Sequence, residues 1–202
     1  MESSPGPLVS PGSPTRGGQG GRGARERILR AAGELFYADG INATGMERLT
    51  EAAHVSKRTF YQHFPSKAAL VEAYLGREQS RAEQALDRDD LTPRDRLLGL
   101  FADRPATGGR IRGCAFHNAA VETAGTLPAV QAEVVRHKQE FTARLIDTAR
   151  AAGARDPDRL GRQLSVLFEG LTALSTSLND PGPAADARAA AVTLIDAATG
   201  RD

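Results

Sequence analysis

Residues 44–67 read TGMERLTEAAHVSKRTFYQHFPSK, and their pattern predicts two short helices joined by a tight turn. Thr44 and Glu47 have the spacing of a capping box, so the first helix should begin directly after Thr44. We expect it to stop at His54 in a left-handed backbone conformation, which histidine tolerates better than most residues. Ser56 is a favourable N-cap for the second helix. Together these signals predict a helix-turn-helix.

The second helix carries a face that is basic and rich in hydrogen-bond donors. Between Glu51 and Glu72 no acidic residue interrupts the basic ones, and such a face suits the phosphate-lined major groove of DNA. Arginine and glutamine side chains can read base edges, whereas hydroxyl and ammonium groups suit phosphates. The predicted DNA contacts are Thr44, Ser56, Lys57, Arg58, Thr59, Tyr61, Gln62, His63 and Lys67. For any one of them alone, the alternative is a solvated surface group.

The run VSKRTFYQHFPSKAAL, residues 55–70, resembles the second half of the DNA-binding domain of TetR/AcrR-type transcriptional regulators. The resemblance covers about residues 24–75 and departs from the family pattern at His54, where the family usually has glycine. It implies an all-α protein whose N-terminal three-helix helix-turn-helix domain is joined to a C-terminal helical bundle for ligand binding and dimerisation. It further implies a homodimeric repressor that a small-molecule inducer releases from a pseudo-palindromic DNA operator.

Composition limits the alternatives. The net charge of the 202 residues is +1, so any DNA binding must come from a local basic patch. A single cysteine cannot form an internal disulfide, which is typical of a reducing compartment. No apolar run approaches the roughly 20 residues of a membrane span, and residues 1–23 lack the apolar core of a signal peptide. We therefore expect a cytoplasmic protein with no membrane partner.

The chain divides into three predicted parts. Residues 1–23, rich in Pro, Gly and Ser, are predicted to be a disordered N-terminal arm, in which Arg16 and Arg22 could reach a DNA groove. Residues 24–65 form the helix-turn-helix DNA-binding domain, and residues 66–202 form the C-terminal ligand-binding and dimerisation domain. No segment alternates as a strand does. Outside the motif, helices are predicted over 24–38, 66–87, 92–102, 114–124, 128–152, 158–178 and 184–198.

The last two predicted helices carry a candidate dimer interface. Leucines recur at intervals of three and four along 158–178, and alanines give the final helix a face that permits close approach. The resemblance implies that two such helices from each subunit form a four-helix interface. The alternative is that they close the core of the monomer. The interface residues are predicted to be Leu160, Leu164, Leu167, Leu171, Leu174, Leu178, Ala187, Ala191 and Leu194.

The helices between 91 and 152 are the candidates for a small-molecule site. His137 interrupts an apolar stripe, and a buried polar group needs a partner, which a ligand could be. The predicted ligand-binding residues are Phe101, Cys114, Phe116, His117, Asn118, His137, Phe141 and Phe168. For each phenylalanine alone, core packing is the alternative.

We predict no metal, no cofactor and no enzymatic activity. Cys114, His117 and His137 would supply only three metal ligands, and no third group orients a cysteine–histidine nucleophile. Two alternatives to an inducible repressor stay open. One is a DNA-binding protein that responds to no ligand, and the other is a small helical enzyme, which the lack of an acid–base pair disfavours.

Overall fold

The computed structural model describes residues 19–102 and 111–200, and every regular element in these two ranges is an α-helix. The all-α prediction is confirmed. No helix in the described ranges combines the length and apolar character that crossing a bilayer requires. The helices are α1 (Gln19–Asp39), α2 (Met46–Ala52), α3 (Lys57–His63), α4 (Lys67–Glu83), α5 (Pro93–Gly99), α6 (Ala115–Glu122), α7 (Pro128–Ala151), α8 (Pro157–Leu178) and α9 (Pro183–Thr199).

The first helix begins earlier than predicted. Residues 19–23, assigned from composition to a disordered arm, are the first turn of α1, so that part of the prediction is wrong. A glycine costs a helix about 1 kcal/mol relative to alanine, which the apolar face of the rest of α1 can offset. Residues 1–18, including Arg16, lie outside the described residues.

The predicted helix-turn-helix forms, with one change at its start. His54 has φ 51°, and the Ser56 hydroxyl oxygen accepts a hydrogen bond from the Thr59 amide at 3.0 Å, both as predicted. The prediction of a capping box is wrong, because the N-cap of α2 is Gly45 rather than Thr44, and no side chain caps this helix. The Thr44 hydroxyl instead donates to the Gly40 carbonyl oxygen at 2.7 Å, at the end of α1.

The core of the N-terminal head, which we define as α1–α3, continues into the rest of the molecule. Phe60 of α3 is completely buried, and it shares one hydrophobic cluster with residues of α1 and α2. Leu70 and Tyr74 bring α4 into the same cluster, and Phe116 of α6 and Val130 of α7 join it. The predicted boundary at residue 65 therefore crosses a continuous core.

A second hydrophobic cluster lies in the body, which we define as α4–α9. It contains residues of α5, α8, α9 and the C-terminal half of α7, including Phe141 and Leu145. Because α7 contributes Val130 and Val134 to the first cluster, this helix belongs to both. It is the element that connects the core under the head to the core of the body.

Helices α7 and α8 cross closely at Gly161. A Cβ atom at this position would lie 2.5 Å from Cγ1 of Ile146 and 2.7 Å from its backbone nitrogen. Real Cβ atoms do not approach backbone this closely, so the crossing requires glycine. A larger residue would force the two longest helices of the body apart.

We predict that Gly161→Ala lowers the free energy of unfolding by roughly 1–3 kcal/mol, because it overpacks this crossing. The matched control is Gly76→Ala in α4, where an added Cβ meets nothing within 4 Å. That change should raise stability by about 0.5–1 kcal/mol through helix propensity. Urea unfolding followed by circular dichroism at one protein concentration measures both. Equal effects of the two changes would contradict the close crossing.

Candidate nucleic-acid interface and ligand region

The outward side of α3 presents four of the nine predicted DNA contacts to solvent. Lys57, Arg58, Tyr61 and Gln62 are exposed, with 52% of the Tyr61 surface accessible, while Phe60 on the inward side is completely buried. Burial of the one side fixes which side faces outward. A seven-residue helix with two cations and an amide on its free surface is suited to a polyanionic groove.

Lys57 forms an ion pair with Glu47, and this pairing was not predicted from the sequence. Its ammonium nitrogen lies 2.8 Å from Oε1 of Glu47 on α2. The hydrogen bond and charge of the pair raise the pKa of Lys57 and lower the pKa of Glu47. Both side chains are more than half exposed, so solvent screens the pair and either partner can exchange it for another ion. Arg58 has no ion-pair partner in the described part of the chain.

The remaining predicted DNA contacts differ in their solvent exposure and in the hydrogen bonds that they already make within the fold. The hydroxyls of Ser56 and Thr59 lie 2.9 Å apart in the N-cap of α3, and His63 is half-buried at its last turn. Lys67 is half-buried, and this burial lowers its pKa while the charge of Glu122 opposes the shift. Thr44 is completely buried and its hydroxyl is used within the fold, so its assignment as a phosphate contact is wrong.

Two arginines of α1 hold the motif in place, and neither was predicted to do so. The Arg27 guanidinium donates to the Ala53 carbonyl oxygen at the C-terminal end of α2, at 3.1 Å. The Arg25 guanidinium lies 5.2 Å from the centre of the Phe64 ring, directly after α3. The motif is thus fastened to α1 at both of its helices. Sequence spacing could not reveal these contacts, because they join residues 26 and 39 positions apart.

The predicted ligand-binding aromatics form a continuous series of rings, which we call the aromatic row. The rings of Phe116 and His137 stack with centroids 3.6 Å apart, and His137 lies 6.2 Å from Phe141. Phe168 continues the row at 5.3 Å from Phe141 and 6.3 Å from Phe101. All five side chains are buried. Their packing against one another gives each a core role in this structure, and their assignment as ligand-binding residues stays a prediction.

A polar seam runs beside the aromatic row between α7 and α8. Lys138 forms an ion pair with Glu169, and the Thr142 hydroxyl lies 2.9 Å from that of Ser165. The Lys138 ammonium is also 3.7 Å from Sγ of Cys114, which is half-buried. These residues place hydrogen-bonding groups next to an apolar series of rings.

Two predicted ligand residues, His117 and Asn118, do not join this region. Cys114 is the N-cap of α6 and lies beside the polar seam, whereas His117, in the first turn of α6, is exposed. Phe116 takes the inward position in that turn, which points the next residue toward solvent. The Asn118 side-chain amide donates to the Arg112 carbonyl oxygen at 2.6 Å, a local structural role. His117 is therefore exposed in this structure, and its assignment as a ligand-binding residue stays a prediction.

The predicted dimer interface separates into buried and exposed parts. Leu160, Leu164, Ala187 and Ala191 are buried in the body cluster of a single subunit, so these four assignments are wrong. The leucine repeat seats α8 against α7 and α9. Leu167, Leu171 and Leu194 are partly buried against the same cluster. Apolar side chains remain on the outer face of α8, where the exposed fractions are 73% for Val166, 51% for Leu174 and 59% for Leu178.

Two family profiles match the chain, one over each part. Residues 28–74 match the profile described as bacterial regulatory proteins, tetR family. Residues 94–191 match the profile described as tetracyclin repressor-like, C-terminal domain. The first match runs from within α1 to the first half of α4, and the second runs from α5 to about the middle of α9. The division agrees with the order of domains in the resembled family.

Individual proteins give the same result. The transcriptional regulator AcuR of Cereibacter sphaeroides is 32% identical over 73% of this chain and 74% of its own length. The HTH-type transcriptional regulator TcmR of Streptomyces glaucescens is 31% identical over 67% of this chain, and the match spans 61% of TcmR. A TetR-type regulator from Streptomyces avermitilis superposes with a TM-score of 0.73 and 35% identity, covering 87% of this chain and 97% of the other. The chain belongs to the TetR family of bacterial regulatory proteins, whose members are DNA-binding transcriptional regulators.

Proposed function

We propose that this protein is a homodimeric repressor that binds a pseudo-palindromic operator through α3 and leaves it when a small molecule binds the body. The observation that carries the proposal is the orientation of α3, whose buried Phe60 turns Lys57, Arg58 and Gln62 toward solvent. Because its target is chromosomal DNA, the protein would act in the cytoplasm. Bound across an operator, a dimer of this size would exclude other proteins from that DNA.

The residues of α3 divide between base reading and positioning. Arg58, exposed and without an ion-pair partner in the described ranges, can form two hydrogen bonds to a guanine edge. Gln62 lies one turn further and can read adenine. Lys57 can exchange Glu47 for a phosphate or a base, since their ion pair is exposed. Contacts that fix register on the phosphates come from Ser56, Thr59, Tyr61, His63 and Lys67.

The outer face of α8 is the proposed centre of the dimer interface. Val166, Leu174 and Leu178 are more than half exposed and lie on one side of the helix at intervals of four and eight residues. Large apolar side chains exposed together on one helix face are typical of an interaction site, and a two-fold axis would pair this face with its own copy. Leu167, Leu171 and Leu194, only partly covered within the subunit, would complete the burial. The two α3 helices would then enter major grooves about one helical turn apart.

The aromatic row and the polar seam together suggest the chemical class of inducer. Four phenylalanines and a histidine favour a mainly apolar or aromatic ligand, and Lys138 with Thr142 offers it hydrogen bonds. On the same side of α7, the Gln131 Oε1 atom is buried and has no hydrogen-bond partner among the described residues. Such a ligand must separate rings that now touch. It releases the DNA only if it binds the released state more tightly than the DNA-competent one.

A ligand-independent DNA-binding protein is the second candidate, because the rings of the row already fill one another's surroundings. Thermal unfolding in the presence of a library of metabolites distinguishes the two. A compound that raises the unfolding temperature and also releases a bound duplex supports the inducible repressor. Compounds that never do both support the second candidate.

We predict that Arg58→Ala weakens binding to a duplex selected from a random pool by roughly 1–3 kcal/mol. The loss should be confined to the base pair that Arg58 reads, so binding to scrambled DNA should change little. The control is Arg150→Ala, which removes an exposed arginine from the last turn of α7, in the body of the protein. Gel-shift titrations of both duplexes measure the preference. An unchanged preference in Arg58→Ala would remove Arg58 from the reading set.

We predict that Glu47→Gln increases affinity for DNA of any sequence at low salt, because it frees Lys57 from its ion pair. In the wild type this pair must break before Lys57 meets a phosphate, so the variant should gain affinity without gaining a phosphate contact, and the slope of log affinity against log salt should change little. Glu51→Gln is the matched control, since it removes an exposed acid from the same helix without freeing Lys57. If both variants raise the affinity equally, general charge rather than the Lys57 pair is responsible.

We predict that Leu174→Glu converts the dimer to a monomer, because a carboxylate would be buried at the centre of the proposed interface. Light scattering after size-exclusion chromatography measures the mass. Val135→Glu places the same charge on an exposed apolar position of α7 and should leave the dimer intact. A Leu174→Glu variant that keeps the mass of the dimer would show that the outer face of α8 is not the interface.

A further inference from the structure

Glu122, the last residue of α6, makes two hydrogen bonds to the turn between α1 and α2. Its Oε2 atom accepts from the Asn42 amide at 3.0 Å, and its own carbonyl oxygen accepts from the Asn42 side-chain amide at 2.6 Å. The two residues are 80 positions apart. The backbone amide and the side-chain amide of Asn42 thus both bind Glu122, a residue of the body. Two such hydrogen bonds fix the orientation of the turn relative to α6 as well as its distance from α6.

The turn is shaped to receive this carboxylate. Gly40 has φ +98°, and a Cβ atom there would lie 2.8 Å from Oε2 and 2.9 Å from Oε1 of Glu122. The carboxylate therefore packs directly against the backbone of the turn, where no side chain intervenes. Lys67, at the start of α4, also feels the negative charge of Glu122. The carboxylate lies where the head, α4 and α6 meet.

On the other side, Glu122 is tied to the segment that precedes α6. The Arg112 guanidinium lies 3.5 Å from Oε1 of Glu122, and both side chains are about four-fifths buried, with 18% and 22% exposed. The segment 111–114 is itself held against α8. The Ile111 amide donates to Oδ1 of Asn179 at 2.8 Å, and an added Cβ at Gly113 would lie 2.9 Å from the Thr172 carbonyl oxygen.

We propose that Glu122 is the positioning residue that sets the angle of the head on the body, and hence the separation of the two α3 helices in the dimer. A displacement of the C-terminal half of α8 would reach Arg112 through segment 111–114, then Glu122, and then Asn42. Since α2 begins four residues after Asn42 and α2 packs on α3, a rotation of this turn moves the reading helix. This inference rests on the proposed dimeric binding to two half-sites.

The experiment compares duplexes that carry the selected half-sites at the preferred spacing and at one base pair more or less. Wild type should discriminate against the altered spacings. Glu122→Ala should reduce this discrimination by about threefold or more while affinity for a single half-site stays unchanged. Asn42→Ala should have the same effect, because it removes the hydrogen bond of the Asn42 side chain to Glu122. Since Asn42 is exposed, this variant serves as the test if Glu122→Ala folds poorly.

The matched control is Asp196→Ala, which breaks the comparably buried Arg94–Asp196 pair within the body. It should lower thermal stability by a similar amount and leave the spacing preference as in wild type. Glu122→Ala and Asn42→Ala variants that both keep the wild-type spacing preference would overturn the inference alone. A wild-type protein that selects no duplex would overturn the proposed function, and this inference with it.

Discussion

The reading helix depends on the burial of Phe60. A helix of seven residues is not stable in water by itself, so α3 exists because its inner side is covered by α1 and α2. The same cluster continues to Phe116 of α6 and Val130 of α7. The head therefore has no core that is independent of the body. Its outward face can keep a fixed direction for this reason, and any rearrangement of α6 or α7 must be felt by α3.

His137 occupies the place where the two cores meet on α7. Val134 before it belongs to the cluster under the head, and Phe141 after it belongs to the cluster of the body. Its ring stacks on Phe116 at one side and lies near Phe141 at the other. Close-packed interiors transmit displacement rather than absorb it. A molecule that separated these rings would consequently disturb α6, and with it the contact between Glu122 and the head.

Sequence predicted what depends on neighbouring residues and missed what depends on distant ones. Ser56 caps α3 and His54 has the left-handed conformation, both as expected, because each is decided within four residues. Periodicity showed which side of α8 is apolar but not what covers it, so buried leucines were assigned to a dimer. The Glu122–Asn42 contact spans 80 positions and involves residue types that are ordinary on any surface. Only the fold brings them together.

Electrostatics of the free protein bear on specificity. The chain has a net charge of only +1, and two of the predicted DNA-contacting cations, Lys57 and Lys67, lie near Glu47 and Glu122 respectively. A phosphate bound by Lys57 would replace its Glu47 partner, and one bound by Lys67 would come near the Glu122 carboxylate, so each such contact would add less to affinity than one made by a cation far from any acid. Attraction to DNA of any sequence is therefore weaker, whereas the proposed base contact of Arg58 would be unaffected. Since a regulator is limited by its ratio of specific to non-specific binding, a partly neutralised head favours discrimination over total affinity.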